Sequence, residues 1–308
     1  MATFVPGVAG LALRSSGGTN SARYCYAVWL CHLVKAAEGG LPIRFKTVAE
    51  LGPGDSLGTG LASMLTGADH YLALDAKPHA SSGSNIATFE ELVQLFSAEA
   101  AIPGHDEFPN LQPLPTSLEF PRHILTPEIL GATLQPDRLD AIRRTLQGEN
   151  GGRVSVRYLA PWDNASILEP EVVDLAFSQA VLEHVEDIGT VYRALYRWLK
   201  PGAVMSHAID FKSHGLTRSW YGHWTLSDLQ WFFVKGRRVY LINREPQSSH
   251  LAEIEGAGFE IITSTPTLQA PVPRSLLSPR FSRLTDDDLR ISSVFLQARK
   301  PATRAELN

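Results

Sequence analysis

"TVAELGPGDSLGTGLASMLTGADHYLALD", Thr47 to Asp75, decides the fold. Its first five residues are apolar apart from Thr47 and Glu50, and Gly52, Gly54 and Gly58 follow directly. Glycine lets the chain turn through left-handed conformations and brings the backbone close to whatever lies beside it. Gly58–Leu65 then reads as a helix whose positive N-terminus faces the turn, and His70–Asp75 reads as a second buried strand. Strand, helix and strand over about thirty residues make a right-handed βαβ unit.

The same rhythm continues outward. Ser21–Glu38 carries apolar residues at helical spacing, with Gly39 and Gly40 behind it as a stop. Between Ala76 and Gly152 the rhythm breaks, because prolines at 103, 109, 113, 115, 121, 127 and 136 interrupt short helices such as Phe89–Glu99 and Pro136–Leu146. Strands are expected at Val154–Leu159, Val172–Ser178, Ala203–Phe211, Phe259–Ser264 and Ile291–Ala298, with helices at Ile188–Leu199 and Ser248–Ala257. Seven strands with intervening helices predict an α/β fold: a doubly wound, mostly parallel, Rossmann-like sheet with ligands at the carboxyl ends of its strands. A proline-rich loop, not a helix, joins the last two strands, which permits an antiparallel edge. The organisation expected is an N-terminal helical segment (1–46), a main domain (47–300) with insertions at about 77–152 and 212–247, and a tail (301–308).

Composition sets the limits. With 308 residues, 44% hydrophobic and 19% charged, the chain can bury a substantial core. A formal charge of −4 offers no general attraction to nucleic acid, and Lys235, Arg237 and Arg238 form too short a basic cluster to supply one. Cys25 and Cys31 lie six apart without a CxxC pair, so neither a disulfide framework nor structural zinc is expected, which suits a reducing cytoplasm. The opening residues place Arg14 after the apolar run, the reverse of a signal peptide, and no run is long enough to span a bilayer, so no stable membrane insertion is expected.

The glycine turn alone suits NAD, FAD, nucleoside triphosphates or S-adenosylmethionine. A dinucleotide fingerprint is GxGxxG, whereas this turn is GxGxxxG with Pro53 between its first two glycines. Glu50, at the end of the first strand, is a carboxylate able to pair with a cationic amino group. Asp75, at the end of the second strand, can accept both hydroxyls of a ribose. Each is also a common kind of strand-end acid. Further on, "VVDLAFSQAVLEHVED" (Val172–Asp187) opens a buried strand with an acid, leaves it at Ser178 and Gln179, and continues into Leu182–Glu183–His184–Val185. "LYRWLKPGAVMSHAID" (Leu195–Asp210) closes a helix at Lys200–Pro201–Gly202 before another strand.

In this order the motifs resemble those of class I S-adenosylmethionine-dependent methyltransferases: E-L-G-P-G, an acid ending strand two, D-x-x-x-S-x-x-V-L-E-H-V, then L-K-P-G-G. The resemblance covers Thr47–Ala76 and Val154–Phe211, and more faintly Ala252–Ile261; Ala203 departs from it where a second glycine is common. It implies S-adenosyl-L-methionine as cofactor. Glu50, Gly52, Pro53 and Gly54 would line its methionine and ribose end, Asp75 would take the ribose hydroxyls, Asp163 in "APWD" would lie near the adenine amino group, and Ser178 and Gln179 would sit beside the methyl donor.

The sulfonium of that cofactor makes its methyl electrophilic, so the protein must mainly align an acceptor and exclude water. An alcohol acceptor also needs a base. His184 is one candidate; Asp210 and His214, at and just past the fifth-strand exit, are a second. Similar Glu-His pairs in ubiquinone-pathway O-methyltransferases are linked with a metal, and local packing at a helix start remains an alternative for Glu183 and His184. In "IDFKSHGLTRSWYGHWTLSDLQWFFVKGRRVYLINREPQSSH" (Ile209–His250), Asp210, His214, His223, Asn243, Arg244 and His250 alternate with Trp220, Tyr221, Trp224, Trp231 and Tyr240. Hydrogen-bonding groups beside aromatic faces suit a sugar, and the segment loosely resembles bacterial methyltransferases of surface-polysaccharide and lipid-glycan contexts. The expectation is methyl transfer to a hydroxyl of a sugar, glycan or glycolipid precursor. A small aromatic, quinone or amine acceptor, a non-catalytic cofactor-binding subunit and a dehydrogenase are the alternatives.

Overall fold

The strands Thr47–Leu51, His70–Leu74 and Val173–Gln179 are short, largely apolar and buried on both faces, the pattern that a parallel sheet covered by helices demands, whereas the edge strands Ser155–Leu159 and Glu260–Leu268 are partly exposed. In the computed structural model, which describes residues 18–302 other than 79, 81, 150, 151 and 163, the strands are β1 (Thr47–Leu51), β2 (His70–Leu74), β3 (Ser155–Leu159), β4 (Val173–Gln179), β5 (Leu199–Asp210), β6 (Glu260–Leu268) and β7 (Ile291–Arg299). They form one sheet in the order β3-β2-β1-β4-β5-β7-β6. The first five are parallel, and β7 runs antiparallel to both β5 and β6. The order 3-2-1-4-5 is that of a doubly wound nucleotide-binding sheet, with its switch point between β1 and β4.

The two faces bury different residues because side chains alternate along a strand. Val48, Tyr71, Phe177 and Val204 meet one layer, built from α1 (Ala22–Glu38), α2 (Gly58–Leu65), α3 (Ser82–Ser97), α4 (Pro127–Thr133) and α5 (Pro136–Leu146). Ala49, Leu74, Ala176 and Met205 meet the other layer, which contains α6 (Ile188–Trp198) and α9 (Gln247–Gly256). The segment between β5 and α9 folds into two short helices, α7 (Gly222–Thr225) and α8 (Asp228–Lys235).

Helix α1 is part of the main core. Ser21 caps it by accepting from the Tyr24 amide, and its Trp29 and His32 rings pack on Phe177 of β4. Helix α3 begins seven residues before the expected Phe89, within a Gly/Ser-rich stretch of low helix propensity. Tertiary contacts override that propensity: the Asn85 side chain accepts the Leu57 amide at 2.9 Å, and Thr88 packs against Gly58. Strand β6 runs on through Pro266 to Leu268, past the expected Ser264. As the edge strand of the sheet, β6 tolerates the missing amide.

Candidate active site

Gly52 and Gly54 adopt left-handed φ values of 64° and 77°. The Gly52 amide donates to the Leu74 carbonyl at 2.8 Å, tying the turn to the end of β2. A Cβ on Gly52 would lie 2.6 Å from the Val181 side chain, so only glycine lets the β4 exit close over the turn. Pro53 is buried between the two glycines. Beside them, the Asp55 amide donates to Thr19 Oγ1 at 2.9 Å and the Ser56 hydroxyl donates to the Thr19 carbonyl, joining the approach to α1 to the turn.

Glu50 is 3% exposed and accepts the Tyr71 hydroxyl. Burial pushes its carboxyl up to about 8, against the lowering effect of Tyr71 and the Gly60 amide. It therefore holds a proton at neutral pH. An unfolded glutamate loses that proton near 4.5, so folding takes up a proton between these values and the acid's contribution to stability falls as pH rises from about 4.5 towards 8. Glu50→Gln mimics the protonated form. It is expected to leave the melting temperature at pH 7 unchanged or raised, while weakening S-adenosylmethionine binding about tenfold or more if the carboxylate meets the cofactor ammonium, as a lost charge-assisted hydrogen bond would. Calorimetric titration checks this; unchanged affinity would remove Glu50 from the cofactor contacts.

Asp75 follows β2 on the far side of the turn, 7% exposed. Its Oδ1 accepts the Ala76 amide at 2.7 Å and its Oδ2 the Tyr158 hydroxyl at 3.3 Å. Tyr158 was not among the expected site residues; its signal is a polar-tipped side chain next to the carboxyl end of a short strand. Asp163 lies outside the described residues. Ser178 and Gln179 point to opposite faces of β4. Ser178 Oγ pairs with His207 Nδ1 at 2.8 Å, and Gln179 donates to the Gln112 carbonyl at 3.0 Å while its Oε1 lies 3.2 Å from His32.

Beyond Val181 the chain makes one tight turn at Leu182–His184. Asn243 holds this turn by donating to the Leu182 and Val185 carbonyls, both at 2.8 Å, and through its amide to the Glu183 carbonyl at 2.6 Å. Here the expected Asp210, His214 and His184 come together. His214 Nε2 lies 3.6 Å from Asp210 Oδ2, and the His184 and His214 rings meet edge to face at 5.2 Å. Asp210 in turn accepts the Lys212 amide at 2.7 Å and its ammonium at 3.0 Å. Burial lowers His184 to about 4 and lowers His214 from its ordinary value, with Asp210 opposing the shift in His214. Both rings are neutral at pH 7.

Glu183 completes the group. It is 2% exposed, neither carboxyl oxygen has a hydrogen-bond partner, and burial raises it far above the carboxylate range. At 3.9 Å from His214 Nε2, a protonated acid and a neutral imidazole form no ion pair. Glu183 and Asp210 line a cavity of about 10 Å³, room for one water. Atoms of Glu183, His184 and His214 suited to ligating a metal lie within 4.8 Å of one another.

Four of the six described non-glycine residues with positive φ, Ala180, His214, Tyr240 and Arg244, fall at this exit or in the segment over it. Such strain persists where surrounding structure enforces it and gathers at functional sites. Tyr240 also carries Lys77 over its ring at 5.4 Å, and its backbone neighbours His184. Gly52, Val181, His184, Tyr240, Lys77 and Asp75 thus form a continuous rim around the switch point. The aromatic segment contributes less to this rim than its composition suggests. Trp224, His223, His250 and Arg244 are at most 3% exposed and belong to the core, Trp224 donating to the Arg244 carbonyl at 2.9 Å. Trp220 and Tyr221 are half-buried and Tyr240 is exposed.

Residues 121–206 match the family model described as a methyltransferase domain. The matched stretch runs from the β2–β3 crossover into β5 and includes the Leu182–His184 turn. The match covers 86 of the 308 residues of the chain. Similar solved structures include an S-adenosylmethionine-dependent methyltransferase from Mesorhizobium loti, 14% identical over 86% of this chain and 96% of that one, with a TM-score of 0.42. Another, from Methanosarcina mazei, is 13% identical over 87% of this chain and 97% of that one, with a TM-score of 0.44. No curated protein matches the sequence.

The residues present fit that cofactor. A glycine turn that no side chain could replace, an acid ending each of β1 and β2, and a buried carboxyl whose proton a ligand ammonium could displace suit a ribose and an amino acid moiety.

Proposed function

We propose that the protein methylates a hydroxyl of a sugar, glycan or glycolipid precursor, with His214 as the base. The observation that carries this reading is the Asp210–His214 pair at the β5 exit: a neutral, partly accessible imidazole with a carboxylate 3.6 Å from one ring nitrogen. When bound, S-adenosylmethionine supplies a methyl already activated for attack. Glu50 would meet its ammonium and Asp75 its ribose hydroxyls, with the Gly52–Gly54 turn beside them. His214 takes the proton of the acceptor hydroxyl, and Asp210 orients the ring and steadies its charge. His184, more buried and harder to protonate, packs against His214 and keeps water from it. Lys212 holds Asp210 in place.

A second reading of the same cluster is a divalent cation held by Glu183, His184 and His214, favoured by the 4.8 Å spacing of their ligand atoms and the unsatisfied Glu183 carboxyl. One experiment tests both: incubation with methyl-labelled S-adenosylmethionine and sugar nucleotides, glycans and glycolipids, with and without EDTA. The expected product is a methyl ether formed equally in both. Label found only on nitrogen would overturn the hydroxyl reading, and loss of transfer in EDTA, restored by a divalent metal, would establish the cation.

A further inference from the structure

Residues 102–118 of the proline-rich insertion form a loop whose ends meet where the Ile102 amide donates to the Leu118 carbonyl at 2.7 Å. The loop is fastened along α1. Arg23 grips Glu107 with two bonds of 2.7 Å, Phe108 meets the Tyr24 ring edge to face at 5.2 Å, and the Thr116 amide donates to Glu38 at 3.1 Å. At Gln112 it reaches the sheet. The Gln112 side-chain oxygen accepts the hydroxyls of Thr267 on β6 at 2.5 Å and Ser293 on β7 at 2.9 Å, and its backbone carbonyl accepts from Gln179, the last residue of β4. Ser293 lies directly across the ladder from Asp210. Gln112 thus lays the loop over the carboxyl edge of the sheet, where ligands of this fold bind.

A hydrogen-bond chain whose direction is forced at both ends runs from Gln112 into the core. A carbonyl only accepts, so Gln179 turns its NH2 to Gln112 and its oxygen to His32. That oxygen also only accepts, so His32 carries its proton on Nε2, 3.2 Å away, and leaves Nδ1 bare. Burial lowers His32 to about 4, so at pH 7 the ring holds just this one proton. The bare Nδ1 accepts the Ser206 hydroxyl at 2.7 Å, and the Ser206 oxygen in turn accepts from Gln297 Nε2 at 3.1 Å. From the far end, Gln297 presents that nitrogen because it also donates to the His32 carbonyl at 3.4 Å. Both ends impose one polarity, and no link conflicts with it. His32, Ser206 and Gln297 are at most 2% exposed, so water does not compete for these bonds.

We propose that His32, acting through Gln179, is a positioning residue that holds Gln112 and the 102–118 loop as a wall of the acceptor entrance. This rests on the reading of the carboxyl edge as the place of methyl transfer, and on neither the base nor the acceptor group. Two measurements on the full chain need no turnover. Long-range proton–nitrogen NMR at pH 7, with the His32 signals assigned by their loss in His32→Gln, is expected to show His32 protonated on Nε2 alone. Hydrogen exchange read by mass spectrometry should show residues 102–118 exchanging roughly tenfold faster in His32→Phe and in Gln179→Leu, the effect of one lost hydrogen bond. His32→Gln, whose NH2 can take the place of Nε2–H, should stay within about twofold of the parent. If the ring served only to pack on Phe177 and Phe295, the order would reverse, since phenylalanine keeps a ring there and glutamine does not. Gln179 is only half-buried, so its variant reads the link even where His32→Phe fails to fold. With an acceptor found by label transfer, His32→Phe should raise the acceptor KM more than it lowers kcat. Protonation on Nδ1, an unchanged loop in Gln179→Leu, or better protection in His32→Phe than in His32→Gln would each overturn the proposal, whereas failure to find any labelled acceptor bears on the proposed function alone.

Discussion

His214→Ala is expected to lower kcat by about 10²- to 10⁴-fold, the range for removing a positioned general base, while leaving S-adenosylmethionine affinity unchanged. The ring works in its neutral form, and burial holds its pKa below the ordinary 6.5. Activity should therefore persist as pH falls through 6.5 and decline only on a limb below that value. Asp210 raises the pKa of His214, so Asp210→Asn should move that limb to lower pH as well as reduce kcat, a change that mere loosening of the loop would not produce. Radiolabel transfer measured from pH 5 to 8 checks all three. Activity of His214→Ala within about threefold of the parent would remove His214 as the base.

Gly60→Ala should be the most damaging single-methyl change to folding. A Cβ there would lie 1.9 Å from Cζ of the fully buried Tyr71, whose hydroxyl is committed to Glu50. Helix α2 must move off the sheet or the ring must leave its partner, and overpacking of a tight core costs about 1–3 kcal/mol or more. For a chain of this size the melting temperature should fall by roughly 2–5 °C. Gly131→Ala, where an added Cβ meets nothing within 4 Å, is the control, and in helix α4 it should gain up to about 1 kcal/mol from helix propensity. Equal melting temperatures for the two variants would mean that α2 does not pack on Tyr71 as described.

The contrast between these glycines bears on what a sequence reveals. The βαβ unit from Thr47 to Asp75 was readable because turn chemistry and strand patterning are local, and the expected α2 agrees with the helix at Gly58–Leu65. The antiparallel end of the sheet was readable from the missing crossover helix. The reason for Gly60 was not, since nothing in the helix itself announces that Tyr71 lies over it. The candidate base behaves in the same way. Asp210 and His214 stood out by their place after a strand, but the edge-to-face contact of His214 with His184, thirty residues earlier, depends on Asn243 clasping the Leu182–His184 turn. The aromatic segment shows the opposite error: alternating polar and aromatic residues look like a pocket lining, yet such residues can be satisfied in a core, as the Trp224 indole is by the Arg244 carbonyl and the Arg244 guanidinium by the Leu226 carbonyl and Asp228. Short apolar helices raise the same ambiguity, and exposure alone distinguishes α8 from a core element.

The position of β7 constrains how the molecule comes into being. The strand of this sheet that comes latest in the chain lies between two made earlier, so β5 and β6 cannot be joined until residues near 299 are available. Until then both hold open hydrogen-bonding edges, the state in which β proteins pair with the wrong chain. Synthesis can complete the nucleotide-binding half while the nascent chain is still growing, but the sheet as a whole closes only after translation of its final strand, which makes that step the one most exposed to aggregation.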